Sequence, residues 1–363
     1  MSSPSHNSTP SASAKRIAVI PGDGIGPEVI AEALKVLRAL PSSAERFQFQ
    51  AFDWGAERYL RDGVTLPPDA PEMLRRDFAA ILFGAVGDPR VPSNQHAADI
   101  LLGLRTSLDL YANVRPLELL DASLTPLRDR REEDIRFTVI RENTEGLYVG
   151  VGGHCRRDTA EEVAIQEDVN TRRGVERILR YAFDYARRHG LKRVCMSDKS
   201  NALTFGHEIW QRVYAIVRAD YPEIEARHLY IDTLAMELVR DPRQFSVLVA
   251  CNLFGDILSD LGAQLAGGLG LAPSGNIHPG QVSLFEPVHG SAPNIAGQNR
   301  ANPFGAVLAA AMMLDHLGMP DESQRLRLAV KEAVCLRQTT ADLGGSLGTR
   351  QAGDWLAECV ARA

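Results

Sequence analysis

Asp256 and Asp260 stand four residues apart in the segment Asn252-Leu-Phe-Gly-Asp-Ile-Leu-Ser-Asp260, whose composition favours a helix. On a helix, that spacing projects both carboxylates from one face. Two like charges held so close repel unless a cation lies between them. A hard divalent ion such as Mg²⁺ or Mn²⁺, which prefers oxygen ligands, would resolve the repulsion. The ordinary reading of an Asp pair is a solvated acidic face. Here Leu253, Phe254, Ile257, Leu258 and Leu261 flank the pair. An apolar surround argues against a solvated face and makes an unpaired charge costly. The pair therefore predicts a metal site.

Two glycine-containing loops are candidates for binding a nucleotide. In Pro21-Gly-Asp-Gly-Ile-Gly-Pro-Glu28, glycines 22, 24 and 26 read GxGxG, and Pro27 precedes any third fingerprint glycine. This is a poor match to the dinucleotide pattern GxGxxG. A tight strand-to-helix turn with Pro27 at the first helical position explains it as well as a phosphate contact does. No Lys-Ser/Thr pair follows the glycines, so a phosphotransfer P-loop is not supported. The second loop runs Glu286-Pro-Val-His-Gly-Ser-Ala-Pro-Asn-Ile-Ala-Gly297, with Asn302-Pro303 beyond it. Backbone amides around Gly290 and Ser291 and the His289 ring suit a nucleotide, although composition alone also fits a long surface loop.

The elements that must position these residues alternate. Strand patterns fall at Lys15–Ile20, Phe78–Phe83, Phe137–Ile140, Arg193–Met196, His228–Asp232 and Ser246–Ala250. Helical periods fall at Pro27–Leu40, Val175–Arg188, Ile209–Ala219 and roughly 305–317. Such alternation predicts an α/β protein with a largely parallel sheet. No internal repeat or long linker interrupts it, so any second domain is expected to be an insertion in the first.

The chain of 363 residues, 45% hydrophobic, can fill the cores of two sub-domains. A net charge of −6 argues against general affinity for nucleic acid or an anionic membrane. No apolar run is long enough to span a bilayer. Five scattered cysteines with no CxxC spacing fit a reducing cytoplasm and indicate neither a zinc site nor a disulfide framework. Residues 1–14, rich in Ser, Pro and Ala, read as a disordered tail without the apolar stretch of a secretory signal.

Six segments, in order, resemble the β-decarboxylating dehydrogenases of the isocitrate/isopropylmalate dehydrogenase family: PGDGIGPEV (21–29), LRTSLDLYANVRP (104–116), RENTEGLY (141–148), DKSNAL (198–203), NLFGDILSDLGA (252–263) and EPVHGSAPNIAG (286–297). The resemblance implies a non-Rossmann two-domain α/β fold with a central cleft. Residues 15–110 and 267–363 would form the first, cofactor-side domain, and 111–266 the second, dimerisation domain. It implies NAD- and Mg²⁺- or Mn²⁺-dependent oxidation of a hydroxy-diacid followed by loss of carbon dioxide, in a homodimer that shares its active sites. By the same resemblance Asp256 and Asp260 are metal ligands from one subunit and Asp232 the ligand from the other. Arg105, Arg115 and Arg141 grip substrate carboxylates, and Asn201 also touches substrate. Lys199, supplied across the dimer, accepts the hydroxyl proton, and Tyr148 protonates the enol carbon. His289, Gly290, Ser291, Ala292, Pro293, Asn294, Ile295 and Asn302 contact the cofactor.

Substrate choice is read from Ala98, Leu101, Leu102 and Arg105, which fall at i, i+3, i+4 and i+7 on an expected helix face. Leu101 and Leu102 match isopropylmalate dehydrogenases, and an isopropyl group enclosed there gains roughly 0.8 kcal/mol per buried carbon. Asp99 would repel the third carboxylate of isocitrate. Ala98, where Glu is usual, and Ala202, where Val is usual, depart from the isopropylmalate pattern, so D-malate or tartrate is the runner-up, followed by isocitrate or homoisocitrate. Asn294 replaces the Asp of NAD-dependent members, which keeps hydrogen bonding to a ribose but drops the repulsion of a 2′-phosphate. A non-catalytic regulatory paralogue is disfavoured, because every acid, base and arginine just named is present.

Overall fold

The computed structural model describes residues 14–41 and 43–362, so the expected tail lies outside the described residues except for Ala14. Among them the strands are β1 (Lys15–Gly22), β2 (Phe47–Ala51), β3 (Ala80–Ala85), β4 (Ala112–Glu118), β5 (Arg136–Glu142), β6 (Gly152–Cys155), β7 (Val163–Gln166), β8 (Arg193–Asp198), β9 (Glu225–Tyr230), β10 (Val247–Ala250), β11 (Pro273–Ile277) and β12 (Leu284–Pro287). Ten of these form one sheet in the order β2-β1-β3-β12-β11-β4-β5-β10-β8-β9, and β6 and β7 form a separate hairpin.

The sheet has two parallel wings. One comprises β2, β1, β3 and β12, and the other β5, β10, β8 and β9. Between them β11 and β4 run antiparallel to each other and to their outer neighbours. The strands from β2 to β11 come from residues 15–110 and 267–363, and those from β4 to β9 from 111–266.

Strands β3 (AILFGA) and β10 (VLVA) are buried at every position, as strands covered on both faces must be. The helix Phe304–His316 is buried from Phe304 to Leu314, which places it in the interior against β11, β12 and the helices Gly26–Ala39 and Pro320–Cys335. In the other wing the helix Arg172–Arg188 turns its apolar stripe onto β5, β10 and β8, and the Thr171 hydroxyl caps its start by accepting from the Gly174 N–H. On the opposite face, Leu234 and Leu238 of the helix Ile231–Arg240 and Leu258 of the helix Asn252–Leu265 pack with Leu117, Phe137 and Leu248.

Two expectations need correction. The strand expected over 228–232 ends at Tyr230, and Asp232 lies instead in the first turn of Ile231–Arg240, where the helix dipole favours an acid. The helix carrying the expected pocket face is not uniformly α: Ala98–Leu102 is a π turn that passes into Gly103–Ser107. The wider turn breaks the i, i+3, i+4, i+7 register. Ala98 is exposed, while Ile100, Leu104 and Leu108 join the core beside Ile81 and Phe83.

Candidate active site

A cleft of about 230 Å³ opens beyond the carboxyl ends of β3 and β12, between the two wings. Open α/β sheets hold ligands at such ends, where strand order reverses. The volume suits a small organic acid better than a drug-sized ligand. Arg105, Arg115 and Arg141 line it together with Tyr148, Asp256, Leu101, Val86, Val288, Glu286, His289 and Gly290.

The arginines come from three elements. Arg105 lies on the short helix before β4, Arg115 on β4 and Arg141 on β5, and all three are buried. Opposite them, the helix Asn252–Leu265 presents Asp256 and Asp260 from one face. Gly255 lets that helix come close, since a Cβ there would lie 2.6 Å from the Arg141 side chain. Arg141 pairs with Asp256 and donates from Nε to Asn252 Oδ1 at 2.9 Å. Arg115 lies 3.1 Å from Asp256 and 3.4 Å from Asp260, and donates to Ser259 Oγ at 2.6 Å. Arg105 pairs with Glu286 at 3.1 Å, while the buried Nε atoms of Arg105 and Arg115 have no partner among the described residues.

The electrostatics follow from this crowding. Burial, with Arg115 and Arg105 beside it, pushes the Arg141 guanidinium down to about 9, so it remains charged near neutrality. Burial raises the Asp256 carboxyl, but Arg141 and Arg115 outweigh it and hold that group below the usual range. Asp260 is raised, by burial first and then by Asp256, with Arg115 opposing. The Tyr148 hydroxyl donates to Asp256 Oδ2 at 3.2 Å. Burial and that carboxylate raise the phenol, which keeps its proton available for donation.

The remaining expected residues fall into two groups. Lys199 Nζ pairs with Asp232 Oδ1 at 2.7 Å, outside the set that lines this cleft, and Asn201 is exposed nearby. Among the described residues no three His, Cys, Asp or Glu side chains gather to hold a metal ion. Of the three expected ligands, Asp256 and Asp260 stand together on one helix face, and Asp232 pairs with Lys199. The all-oxygen, partly exposed pair of Asp256 and Asp260 fits a hard dication completed by an acid from elsewhere. Of the two expected pocket leucines, Leu101 lines the cleft and Leu102 does not.

The second loop borders the same cleft. His289 Nε2 is buried without a partner among the described residues, Gly290 leaves open space where a Cβ would stand, and Ala292 holds a left-handed φ of 38°. An unpartnered ring nitrogen and open backbone are what a nucleotide cradle needs, and strained backbone gathers at such places. Pro293 and Asn294 are exposed, and Ile295 packs partly against the core. Asn302 is already committed: its Oδ1 accepts from Phe304 N and its Nδ2 donates to Asp342. The first glycine loop serves as a turn that seats this second loop. Ile25 N–H donates to Ser291 O at 2.8 Å, and a Cβ on Gly24 would strike that same oxygen.

Sequence reasoning missed Glu286 as a partner of Arg105, Asn252 and Ser259 as supports of the other two arginines, and Val86 and Val288 as apolar wall. Glu286, Asn252 and Ser259 sit inside the segments that carry the resemblance, which was a usable signal. Val288 shares that signal, and Val86 had none.

Fold and cleft define a class: an α/β enzyme in which buried guanidinium groups face carboxylates across the seam of a mixed sheet. The chain belongs to the isocitrate/isopropylmalate dehydrogenase family, whose pattern it matches over residues 16–356. It is 48% identical over 354 residues to the 3-isopropylmalate dehydrogenase of Thermobifida fusca (strain YX), covering 97% of this chain and 99% of that protein. It is 45% identical over 344 residues to that of Streptomyces coelicolor, covering 93% and 98%. Among solved structures, the isocitrate dehydrogenase of Methylococcus capsulatus superposes with a TM-score of 0.86 at 38% identity, covering 95% of this chain and 99% of that one. A beta-decarboxylating dehydrogenase from Thermococcus kodakarensis gives 0.78 at 37%, covering 95% and 96%.

Proposed function

We propose that this protein oxidises and decarboxylates a 3-substituted (R)-malate, with 3-isopropylmalate the leading substrate and 2-oxoisocaproate and carbon dioxide the products. The observation that carries the reading is the convergence of three buried arginines with Asp256 and Tyr148 beside the apolar Leu101. Relatives named 3-isopropylmalate dehydrogenase at 45–48% identity support it.

Arg105, Arg115 and Arg141 bind and orient the substrate carboxylates, since paired N–H forks fix direction as well as charge. Leu101, with Val86 and Val288, encloses the 3-substituent and excludes water. Lys199 of a second copy takes the hydroxyl proton at Nζ, and Tyr148 delivers its phenolic proton to the carbon left by carbon dioxide. Asp256 and Asp260, with Asp232 of a second copy, would hold Mg²⁺ or Mn²⁺; residues 289–295 would hold NAD. When bound, the ion supplies positive charge at the hydroxyl and carbonyl oxygens and NAD supplies the hydride acceptor.

A homodimer through residues 111–266 is part of the proposal. Val151, Val163, Ile165, Phe205, Met236 and Ile257 are exposed in that half, and a second copy packed there would bury such side chains. Two domains, 15–110 with 267–363 and 111–266, would close around the cleft. Five free cysteines support a reducing cytoplasm, and no helix among the described residues is long and apolar enough to cross a membrane.

The second reading is isocitrate, favoured by the structural relative of that name and opposed by Leu101 on the cleft wall. Steady-state kcat/KM with 3-isopropylmalate, D-malate, L-tartrate and isocitrate, each with NAD⁺ and NADP⁺, decides between them. Chelation should abolish turnover, and Mg²⁺ or Mn²⁺ should restore it. A preference for isocitrate overturns the substrate assignment, and a preference for NADP⁺ overturns the assignment of NAD as cofactor.

A further inference from the structure

His207 is buried to 1% exposure and eight residues beyond Lys199, yet its ring closes the loop on which Lys199 stands. Nδ1 accepts the Lys199 backbone N–H at 3.0 Å, and the Lys199 carbonyl accepts the amides of Ala202 and Leu203. Both backbone polar groups of Lys199 are thus fixed within its own loop. Because Nδ1 accepts, the ring proton sits on Nε2, which faces Asp168 Oδ2 at 3.6 Å. Asp168 in turn accepts from Asn170 at 2.9 Å, and Asn170 accepts from the Trp210 indole at 2.8 Å. The His207 ring also lies 5.3 Å from that of Phe254, two residues before Asp256 on the helix of the acid pair. One imidazole therefore joins the Lys199 loop, the segment 168–170 that bridges to Gly146 near Tyr148, and the start of Asn252–Leu265.

We infer that His207 is a positioning residue that sets where Lys199 stands, through the acceptor at Nδ1 rather than through bulk. The inference rests on the proposed proton-accepting role of Lys199. A lysine on a flexible four-carbon stem reaches a proton productively only if its backbone is anchored, and an error near 1 Å in such placement lowers turnover on the order of a hundredfold. Substrate carboxylates and cofactor are held mainly by residues outside this loop, so KM should move less than kcat.

The test compares His207→Leu, His207→Asn and His207→Gln with Lys199→Met, reading kcat, both KM values and the melting temperature. His207→Leu should lose kcat on the order of ten- to a hundredfold with KM values little changed. His207→Asn, whose carboxamide oxygen can stand where Nδ1 stood, should recover most of kcat; His207→Gln, which reaches toward the Nε2 position, should not. Wild-type kcat in His207→Leu overturns the inference. So does equal loss in Asn and Gln variants that tracks their melting temperatures, which would mark a purely structural ring. If His207→Leu fails to fold, the Asn and Gln comparison decides. An active Lys199→Met enzyme would instead bring down the assignment of Lys199, separating that failure from this one.

Discussion

Three guanidinium groups gathered at the end of a sheet repel one another, and carboxylates from a neighbouring helix hold them there. Arg115 spans Asp256 and Asp260, so Arg115→Gln removes a fork from the cleft, leaves Asp256 to Arg141 and takes from Asp260 its arginine partner. Charge-assisted bonds to carboxylates contribute about 1.5–3 kcal/mol each. On that scale kcat/KM for the diacid should fall roughly ten- to hundredfold; an unchanged value in steady-state assays would remove Arg115 from the site. A second prediction concerns stability. The His207 ring N–H 3.6 Å away, with help from Asn170 and against partial burial, holds the Asp168 carboxyl below its usual range. A depressed folded-state value adds stability above the unfolded value of about 3.9 and loses it as pH falls through the folded one. Melting temperature should therefore drop more steeply for the wild type than for Asp168→Asn as pH is lowered from about 5 to 3. Parallel curves would show that Asp168 gives no such support. The acid pair and the loop around His289 were readable as residue types at set spacings, and the arginines only through the family resemblance. His207 was not, because a ring nitrogen accepting a backbone N–H across a loop leaves no pattern in sequence.

The helix Asn252–Leu265 joins chemistry to packing. Gly255 and Gly262 lie two turns apart on the face that meets the sheet, where a Cβ would press on Arg141 in the first case and on Leu117 and Phe137 in the second. Overpacking of this kind costs about 1–3 kcal/mol, but the two positions should differ in function. Gly262→Ala should lower the melting temperature and leave kcat/KM nearly intact. Gly255→Ala should also displace Arg141 and Asp256 and reduce kcat/KM disproportionately. Equal ratios of activity loss to stability loss, measured by melting curves and initial rates, would contradict the distinction. The alternating strands at the sheet's two wings and the helices Gly26–Ala39, Arg172–Arg188 and Glu208–Arg218 were legible because apolar periodicity follows burial directly, whereas Pro320–Cys335 and Thr349–Arg362 were passed over. Strands β4, β11 and β12 were not, for a physical reason: they carry buried Asn113, Ser274, Asn276 and Glu286 in the middle of the sheet. Asn113 donates to Ser274 and Asn276, and Asn276 donates to Glu286, which pairs with Arg105. A polar network inside the core reads as loop in a pattern of apolar and polar residues. The π turn at Ala98–Leu102 escaped notice likewise, since no residue type announces it.

At the scale of the whole molecule, the features required by the proposed reaction divide into two sets on one chain. Arg105, Arg115, Arg141, Tyr148, Asp256 and Asp260 face the cleft or its rim, while Lys199 and Asp232 form a pair elsewhere. Sequence order could not reveal that separation, because β8 and the helix after β9 are close to β5 and β10 along the chain and in the sheet alike. If two copies complete each other's clefts, inactive variants should complement. Asp256→Asn damages the cleft set and Lys199→Met the donated set, and each homodimer should be nearly inert. In a mixed dimer, one cleft combines both lesions, but the other combines an intact cleft with an intact donated lysine. Random reassortment of equal amounts makes about half the dimers mixed, each with one of two clefts working, so activity should return to about a quarter of wild type. The measurement is kcat per total protein after unfolding and refolding the two variants together, compared with each refolded alone. Recovery that grows as mixed dimers form is the expected outcome. Activity no greater than the sum of the separate preparations, with mixed dimers verified by tag pull-down, would mean that each chain works with its own Lys199 and that the shared-site arrangement is wrong.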